Sequence, residues 1–453
     1  MMTAPPFAAS LFMLGSVVVA WIVHQVLWRR LILKFALPAS QTTTVRRILW
    51  GLACLFPIGM LQLLLMRHVP RMVASPTMWA AFTWLGFVIF LLQSLVVFEL
   101  VCLFLRPRVE TEQRLARVTA GVAVAIGILA MLQAAERPAV RSMHFEIDGV
   151  PRYRIVQLAD LHIGPTLGRS FAEDVAQRTN AVQPDLIVVS GDMVDGSVAE
   201  LASEVAPLKN LRAADGVVFV LGNHEYLSDA DAWVRHARSF GWHVLRDERL
   251  ELPRLDVIGF DEFSDPEADI YAALSSRGRH RKLPDLSARR PTITVGHSPQ
   301  SFAAACDAGV DLALAGHTHG GQIFPFGILE RLQQGYLAGH YSCGHTQLFV
   351  SPGAGYWGPP MRLGSRAEIS VLELASAARR ASPSRVAAKE CSHGRQAVVS
   401  VERLAKPRSG ERVFRRYAAH TVTTEQQPRP SAVATFCRRY AAAEWRDHAS
   451  TGL

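Results

Sequence analysis

Asp311-Leu312-Ala313-Leu314-Ala315-Gly316-His317-Thr318-His319-Gly320-Gly321-Gln322 reads as a short buried strand that ends in a histidine pair and a glycine pair. A turn at a strand end can aim side chains at i and i+2 into one cleft, and glycine lets the backbone approach closely and take positive φ. A lone His-x-His pair is common on protein surfaces and usually inert, so the reading depends on what the other strands deliver. Four further apolar runs end in the same way. Residues 154–159 lead into Asp160-Leu161-His162, and 185–189 into Gly191-Asp192-Met193-Val194-Asp195. Residues 217–221 lead into Gly222-Asn223-His224-Glu225, and 291–295 into Gly296-His297. Metal-type donors at the carboxyl ends of successive strands mark a site at the edge of an α/β sheet. Chance explains one such ending, not the whole series.

Helical signals alternate with these runs. Ser170-Phe171-Ala172-Glu173 has the form of a capping box opening a helix toward Val182, and Ser228-Asp229-Ala230-Asp231 resembles the same signal before Trp233-Val234. Ser298-Pro299 sets a capping residue ahead of a proline at the first helical position. Residues 348–350 and 368–372 add late strands. The alternation predicts a layered α/β domain over residues 143–375.

A chain of 453 residues exceeds one ordinary domain, and its apolar content is unevenly spread. Candidate membrane spans lie at about 7–28, 48–66, 78–105 and 118–132, most of them reaching the ~20 residues that a bilayer core requires. These segments are apolar on all sides, unlike the helices of a soluble bundle. No basic region precedes the first span and Arg29-Arg30 follows it, which speaks against a cleaved signal peptide. Residues 1–135 are therefore expected to form a region of about four transmembrane helices. His24, Gln62, Gln93 and Glu99 fall in or near the spans, and Glu99, near the Arg106 end, reads as structural. From Arg379 onward Lys and Arg outnumber Asp and Glu by about nine, which equals the net charge of +9 for the whole chain. The basic character belongs to that tail, so no nucleic-acid partner is predicted. Residues 376–453 read as a basic, disordered tail.

Arg29, Arg30, Lys34, Arg46 and Arg47 follow the first span, and Arg106, Arg108, Arg114 and Arg117 follow the third; the second loop has only Arg67 and Arg71. The positive-inside rule puts the first and third loops in the cytoplasm. With four spans, the domain that follows faces the outer, periplasmic or extracellular, side of the cytoplasmic membrane. Cys306 and Cys343 read as free thiols, since no Cys-x-x-Cys pair occurs.

Asp160-x-His162, Gly191-Asp192-x-x-Asp195, Gly222-Asn223-His224-Glu225, Gly296-His297 and Gly316-His317-x-His319, in this order, resemble the calcineurin-like metallophosphoesterase superfamily, a resemblance that covers about 230 residues. The 316–322 stretch and the ending around Gly353, Arg362 and Glu368 are similar to its bacterial membrane- or envelope-associated branch. Glu225 departs from the Asp that many relatives carry, keeping the carboxylate one methylene further out. The resemblance leaves out the spans and the tail. It implies a layered β-sandwich flanked by helices, and a pair of divalent ions. Asp160, His162 and His319 would hold the first ion, Asn223, His297 and His317 the second, and Asp192 would bridge them. Such a donor set of carboxylate, amide and imidazole suits Mn, Fe or Zn. Two ions can share a hydroxide and clamp a phosphoryl group for in-line attack on a phosphate ester or pyrophosphate bond. His224, beside a ligand, is the candidate catalytic acid. Asp195 and Glu225 are candidate acceptors that orient imidazoles.

Tethering to a lipid bilayer points to a lipid-linked or envelope-linked phosphate substrate. A transporter or sensor with a regulatory domain is the alternative, but the spans show no paired buried charges or broken half-helices. In amidohydrolases the His-x-His motif comes first along the chain, whereas here it comes last. His340 and His345 around Cys343, the Asp261-Glu262 pair and Arg362 admit further readings: an extra metal site or a loop, a rim acid pair or a turn, a phosphate contact or an ion pair with Glu368.

Overall fold

In the computed structural model, which describes residues 6–65, 71–262 and 290–376, the apolar N-terminal third forms helices α1 (Pro6–Arg30), α2 (Ala39–Ala53), α3 (Leu55–Leu65), α4 (Arg71–Leu105) and α5 (Val109–Ala135). Among the described residues four runs are long and apolar enough to cross a membrane: Ser10–Phe35, Ala39–Gln62, Val73–Leu105 and Val109–Ala135. Their limits differ from the sequence reading. The second starts at Ala39 and is interrupted at Cys54 between α2 and α3. The fourth is not short, because Glu110 and Glu112 in the first turn of α5 favour the positive end of the helix and let it begin before the apolar window does. Some polar groups in this region find partners, although the buried Gln93 Nε2 has none among the described residues. Trp84 Nε1 donates to His24 Nε2 at 3.0 Å, Thr77 donates to Gln62, and Arg30 holds Glu99 through two bonds of 3.0 Å. Glu99 thus answers to Arg30 rather than to the Arg106 end. Met66, Arg67 and the expected basic tail beyond residue 376 lie outside the described residues.

The rest of the described chain builds two six-stranded sheets. The first contains, in spatial order, β1 (Ala139–Glu146), β12 (Glu368–Ala375), β2 (Tyr153–Leu158), β3 (Leu186–Ser190), β4 (Val217–Val220) and β5 (His243–Val244). The second contains β10 (Gly339–Cys343), β11 (Thr346–Val350), β9 (Leu312–Ala315), β8 (Thr292–Val295), β7 (Asp256–Gly259) and β6 (Glu248–Glu251). The inner strands β3, β4, β7, β8 and β9 read as continuous apolar runs because they are covered on both faces. Alternate residues divide between two cores. Ile155, Val188, Val218 and Val220 meet Ile293, Val295, Leu312, Leu314 and Phe349 between the sheets. Val156, Ile187, Val189 and Phe219 face outward onto helices α6 (Arg169–Ala181) and α7 (Val198–Val205) and the Ala230–Ser239 helix. Ala313, Ala315, Leu348 and Val350 pack instead with the Phe302–Ala308 helix. The result is a β-sandwich with helices outside, the layered α/β architecture read from the sequence.

Two local expectations are corrected. Gly168 stands at the N-terminus of α6, so Ser170 lies in the first turn and caps nothing. Asp229 and Ser298 do cap, accepting from Ala232 N at 3.1 Å and Gln300 N at 3.3 Å. Cys306 and Cys343 are not separate thiols but are joined by a disulfide between the Phe302–Ala308 helix and β10.

Candidate metal centre

β2, β3 and β4 run parallel side by side, as do β8 and β9 in the other sheet. The loops leaving their carboxyl ends bring Asp160, His162, Asp192, Asn223, His297, His317 and His319 to one edge of the sandwich. Gln157 ties the two sheets together directly beneath, donating to Ser190 Oγ at 2.8 Å and to the Ala315 carbonyl at 2.9 Å. The backbone is bent sharply here. Asp160, His162, Asp192, His317 and His319 all have left-handed φ, between 45° and 71°. Each such residue costs about 1–3 kcal/mol, and such strain gathers at functional sites. Gly316 allows the close approach, since a Cβ there would lie 2.7 Å from Asp160 Oδ2.

Among the described residues three sets of donor atoms lie within 4.8 Å of one another: Asp160 with His162 and His319, Asp192 with His297 and His317, and His162 with Asp192 and His224. His162 Nε2 faces His319 Nε2 at 3.0 Å. His317 Nδ1 faces His297 Nε2 at 3.0 Å, and Asn223 Oδ1 is 3.1 Å from that same nitrogen. Asp192 Oδ2 lies 3.1 Å from His297 Nε2 and 3.8 Å from His162 Nε2, between the first two sets. Ring nitrogens and carboxylate oxygens converging on the same points, with no thiolate among them, fit two borderline divalent cations.

The charges are arranged accordingly. Burial lowers His317 to about 3, and the neighbouring His297 adds to the effect. Burial, then His162 and Arg362, hold His319 well below the usual imidazole range. Both are thereby kept neutral, the form that ligates metals. Burial alone would lower His224 as well, but Asp195 at 2.6 Å and then Asp192 override it and lift the imidazole to about 9. For Asp195 burial pushes the carboxyl up, yet His162 and His224 hold it well below the ordinary range. Asp195 thus accepts from two imidazoles at once, His162 Nδ1 at 2.9 Å and His224 Nδ1 at 2.6 Å.

Glu225 takes a different place from the one expected. It reaches no imidazole through a hydrogen bond. Instead it accepts from the backbone N–H of Asp192, Met193, Val194 and Gly222 at 2.7–3.2 Å, clamping the two loops that carry Asp192 and Asn223. Arg362 neither pairs with Glu368 nor faces the cleft. Glu368 accepts from Ser370 and lies 3.7 Å from Arg141. The fully buried Arg362 guanidinium donates to the carbonyls of Pro352, Gly353 and Gly355 and lies 3.4 Å from His319 Nδ1. Gln322 escaped the sequence reading as a positioning residue. Its amide accepts from Trp357 N at 3.0 Å and donates to Trp357 O at 2.9 Å, and the Trp357 ring stands edge-on to His224 at 5.8 Å. The remaining candidates stay structural. His345 bonds the Gly309 carbonyl, His340 packs against Phe145, Asp261 anchors Arg246, and Glu262 accepts from Ser298 N.

The family profile described as Calcineurin-like phosphoesterase matches residues 153–321. The chain is 35% identical over 272 residues to a transmembrane protein with metallophosphoesterase domain from Bos taurus, covering 56% of this chain and 61% of that protein. An uncharacterized metallophosphoesterase of Campylobacter jejuni is 33% identical over 244 residues, covering 53% and 64%. A metallophosphoesterase of Aquifex aeolicus is 30% identical over 223 residues, covering 49% of this chain and 84% of its own length. The chain thus spans less than two thirds of the first two relatives. Similarity of this kind extends to an animal protein and is not confined to bacteria.

Proposed function

From a chain that belongs to the calcineurin-like phosphoesterase family, we propose a membrane-anchored enzyme that hydrolyses phosphate ester or pyrophosphate bonds with two divalent ions. The observation that carries this reading is Asp192 Oδ2, set between His297 and His162 of the two neighbouring donor sets. Asp160, His162 and His319 would hold one ion, Asn223, His297 and His317 the other, and Asp192 both. Bound there, the ions would supply Lewis-acid polarisation of a phosphoryl oxygen and lower the pKa of water toward neutrality.

The protein's own groups account for the remaining requirements. Water adds to phosphorus and gives up a proton to solvent, the P–O bond to the leaving group breaks, and the leaving oxygen takes up a proton. His224 is suited to deliver that proton, because Asp195 keeps its ring charged and turned so that Nε2 lies 4.0 Å from Asp192 Oδ2. Asp195 couples this acid to His162, and Glu225 and Arg362 fix the loops so that the donors are preorganised.

Residues 1–135 serve as the anchor and 143–375 as the catalytic domain in this reading. The domain lies on the outer side of the cytoplasmic membrane. The charge bias of the loops supports that side, and the Cys306–Cys343 disulfide fits an oxidising compartment. The test is to strip the detergent-solubilised full chain of metal and assay p-nitrophenyl phosphate, bis(p-nitrophenyl) phosphate and an organic pyrophosphate before and after adding back Mn, Fe or Zn. Hydrolysis that disappears and returns with the metal is expected. Hydrolysis indifferent to metal would overturn the proposal.

A further inference from the structure

The segment that leaves the His317–Gln322 motif does not return directly to the sandwich. Ile323 is buried in one cluster with Phe90 of α4, Ala123 and Ala130 of α5, and Met361. Nearby, Arg362 N donates to the Ala130 carbonyl at 2.9 Å. The motif's next residue is therefore seated on two candidate spans, along a stretch of α5 about 10 Å long by helical rise. Around that stretch α5 turns Ile128, Leu129 and Leu132 outward, at 47–60% exposure, as a lipid-facing surface requires.

From this seat the chain emerges with a run of uncovered apolar side chains. Phe324, Phe326, Ile328, Leu329 and Leu332 are 39–76% exposed, and Trp357 beside them is 54% exposed. Ile328, Leu329 and Leu332 share one face of the Phe326–Gln334 helix, whereas Gln334 is buried against Ser298 and Gln300. A water-facing helix would reverse this pattern.

We propose that the Phe324–Leu332 rim lies in the outer boundary of the same bilayer that α4 and α5 cross, so that the cleft is fed from the lipid surface and acts on phosphate groups of membrane-resident lipids. The occupant of the apolar face is lipid because the face is continuous with the spans through Ile323 and Met361. Trp357, an aromatic suited to the membrane–water boundary, links this rim to the cleft through His224 on one side and Gln322 on the other. This inference deepens the phosphoesterase reading above and rests on it.

Two measurements on the full chain in phosphatidylcholine nanodiscs test the proposal. In the first, Leu332→Cys, with Cys54, Cys102, Cys391 and Cys437 replaced by serine, carries an environment-sensitive fluorophore. Quenching by doxyl-labelled lipid and protection from iodide are expected. Quenching by iodide overturns the proposal, and so does protection from both quenchers with a doubled particle mass, which would make a second copy the occupant. In the second, Ile328→Asp/Leu332→Asp is assayed on bis(p-nitrophenyl) phosphate and on discs containing phosphatidic acid, phosphatidylglycerol or a polyprenyl pyrophosphate. The variant should keep its rate on the soluble ester and lose about tenfold or more on the lipid that the parent chain cleaves, given the apolar area withdrawn from the membrane. Equal loss on both, or a parent chain active on the soluble ester and on none of the lipids, overturns the lipid inference and leaves the phosphoesterase reading standing. A parent chain inactive on every substrate removes both.

Discussion

Asp192 and His224 lie in contact, yet their removal should have different consequences. Asp192→Ala should abolish hydrolysis and lower metal content together, because that carboxylate belongs to two of the three donor sets and lies 3.8 Å from His162 of the other. His224→Ala should keep most of the metal and lose about 10²–10⁴-fold in rate, with a smaller loss when the leaving group is a nitrophenolate that needs no proton. Metal analysis and kinetics on the two variants check this. If His224→Ala strips metal as thoroughly as Asp192→Ala, then His224 is a ligand, as its grouping with His162 and Asp192 would permit. For Arg362→Lys we expect about 10–100-fold weaker metal binding, since one ammonium cannot reach the carbonyls of Pro352, Gly353 and Gly355 together with His319. A titration unchanged from the parent would contradict that role. The donors were legible in the sequence because each sits in a short motif at a strand end. Asp195 was legible too, as an imidazole acceptor, but the parts played by Glu225 and Arg362 were not. Arg362 and Glu225 act mainly on backbone groups, which have no residue identity to read.

At the scale of elements, the inward strands announced themselves as apolar runs, but β1 did not. Its residues are mostly exposed, and it is held by parallel pairing with β12, more than 200 positions away in the chain. The Cys306–Cys343 link was equally invisible, because only the fold brings the Phe302–Ala308 helix beside β10; a disulfide-linked peptide pair in an unreduced digest of the membrane-extracted chain is the expected mass-spectrometric result. The seat of Ile323 on the spans also depends on packing rather than pattern. Ala123 is fully buried there, so Ala123→Leu should cost about 1–3 kcal/mol through overpacking. Thermal unfolding in detergent should show a lowered midpoint, while Val122→Leu, on the exposed side of α5, should leave it unchanged. Equal midpoints for the two variants would mean that Ile323 is not held by the helices.

For the whole molecule, the proposal that the metallophosphoesterase domain faces out of the cytoplasm rests on the positive loops and the even number of candidate spans. Alkaline phosphatase fused after Ala375 should be active and a fluorescent reporter at the same point dark; the opposite pattern would reverse the sidedness and move the accessible lipid phosphates to the inner leaflet. The donors gathered at one edge of the sandwich suit a pair of ions. The most direct measurement is therefore the number of metal ions per polypeptide in the purified full chain, taken by elemental analysis alongside the rate of bis(p-nitrophenyl) phosphate hydrolysis. We expect occupancy approaching two ions per chain, with the rate rising and falling as the ions are restored and removed. Full activity in a chain that carries no metal would contradict the account.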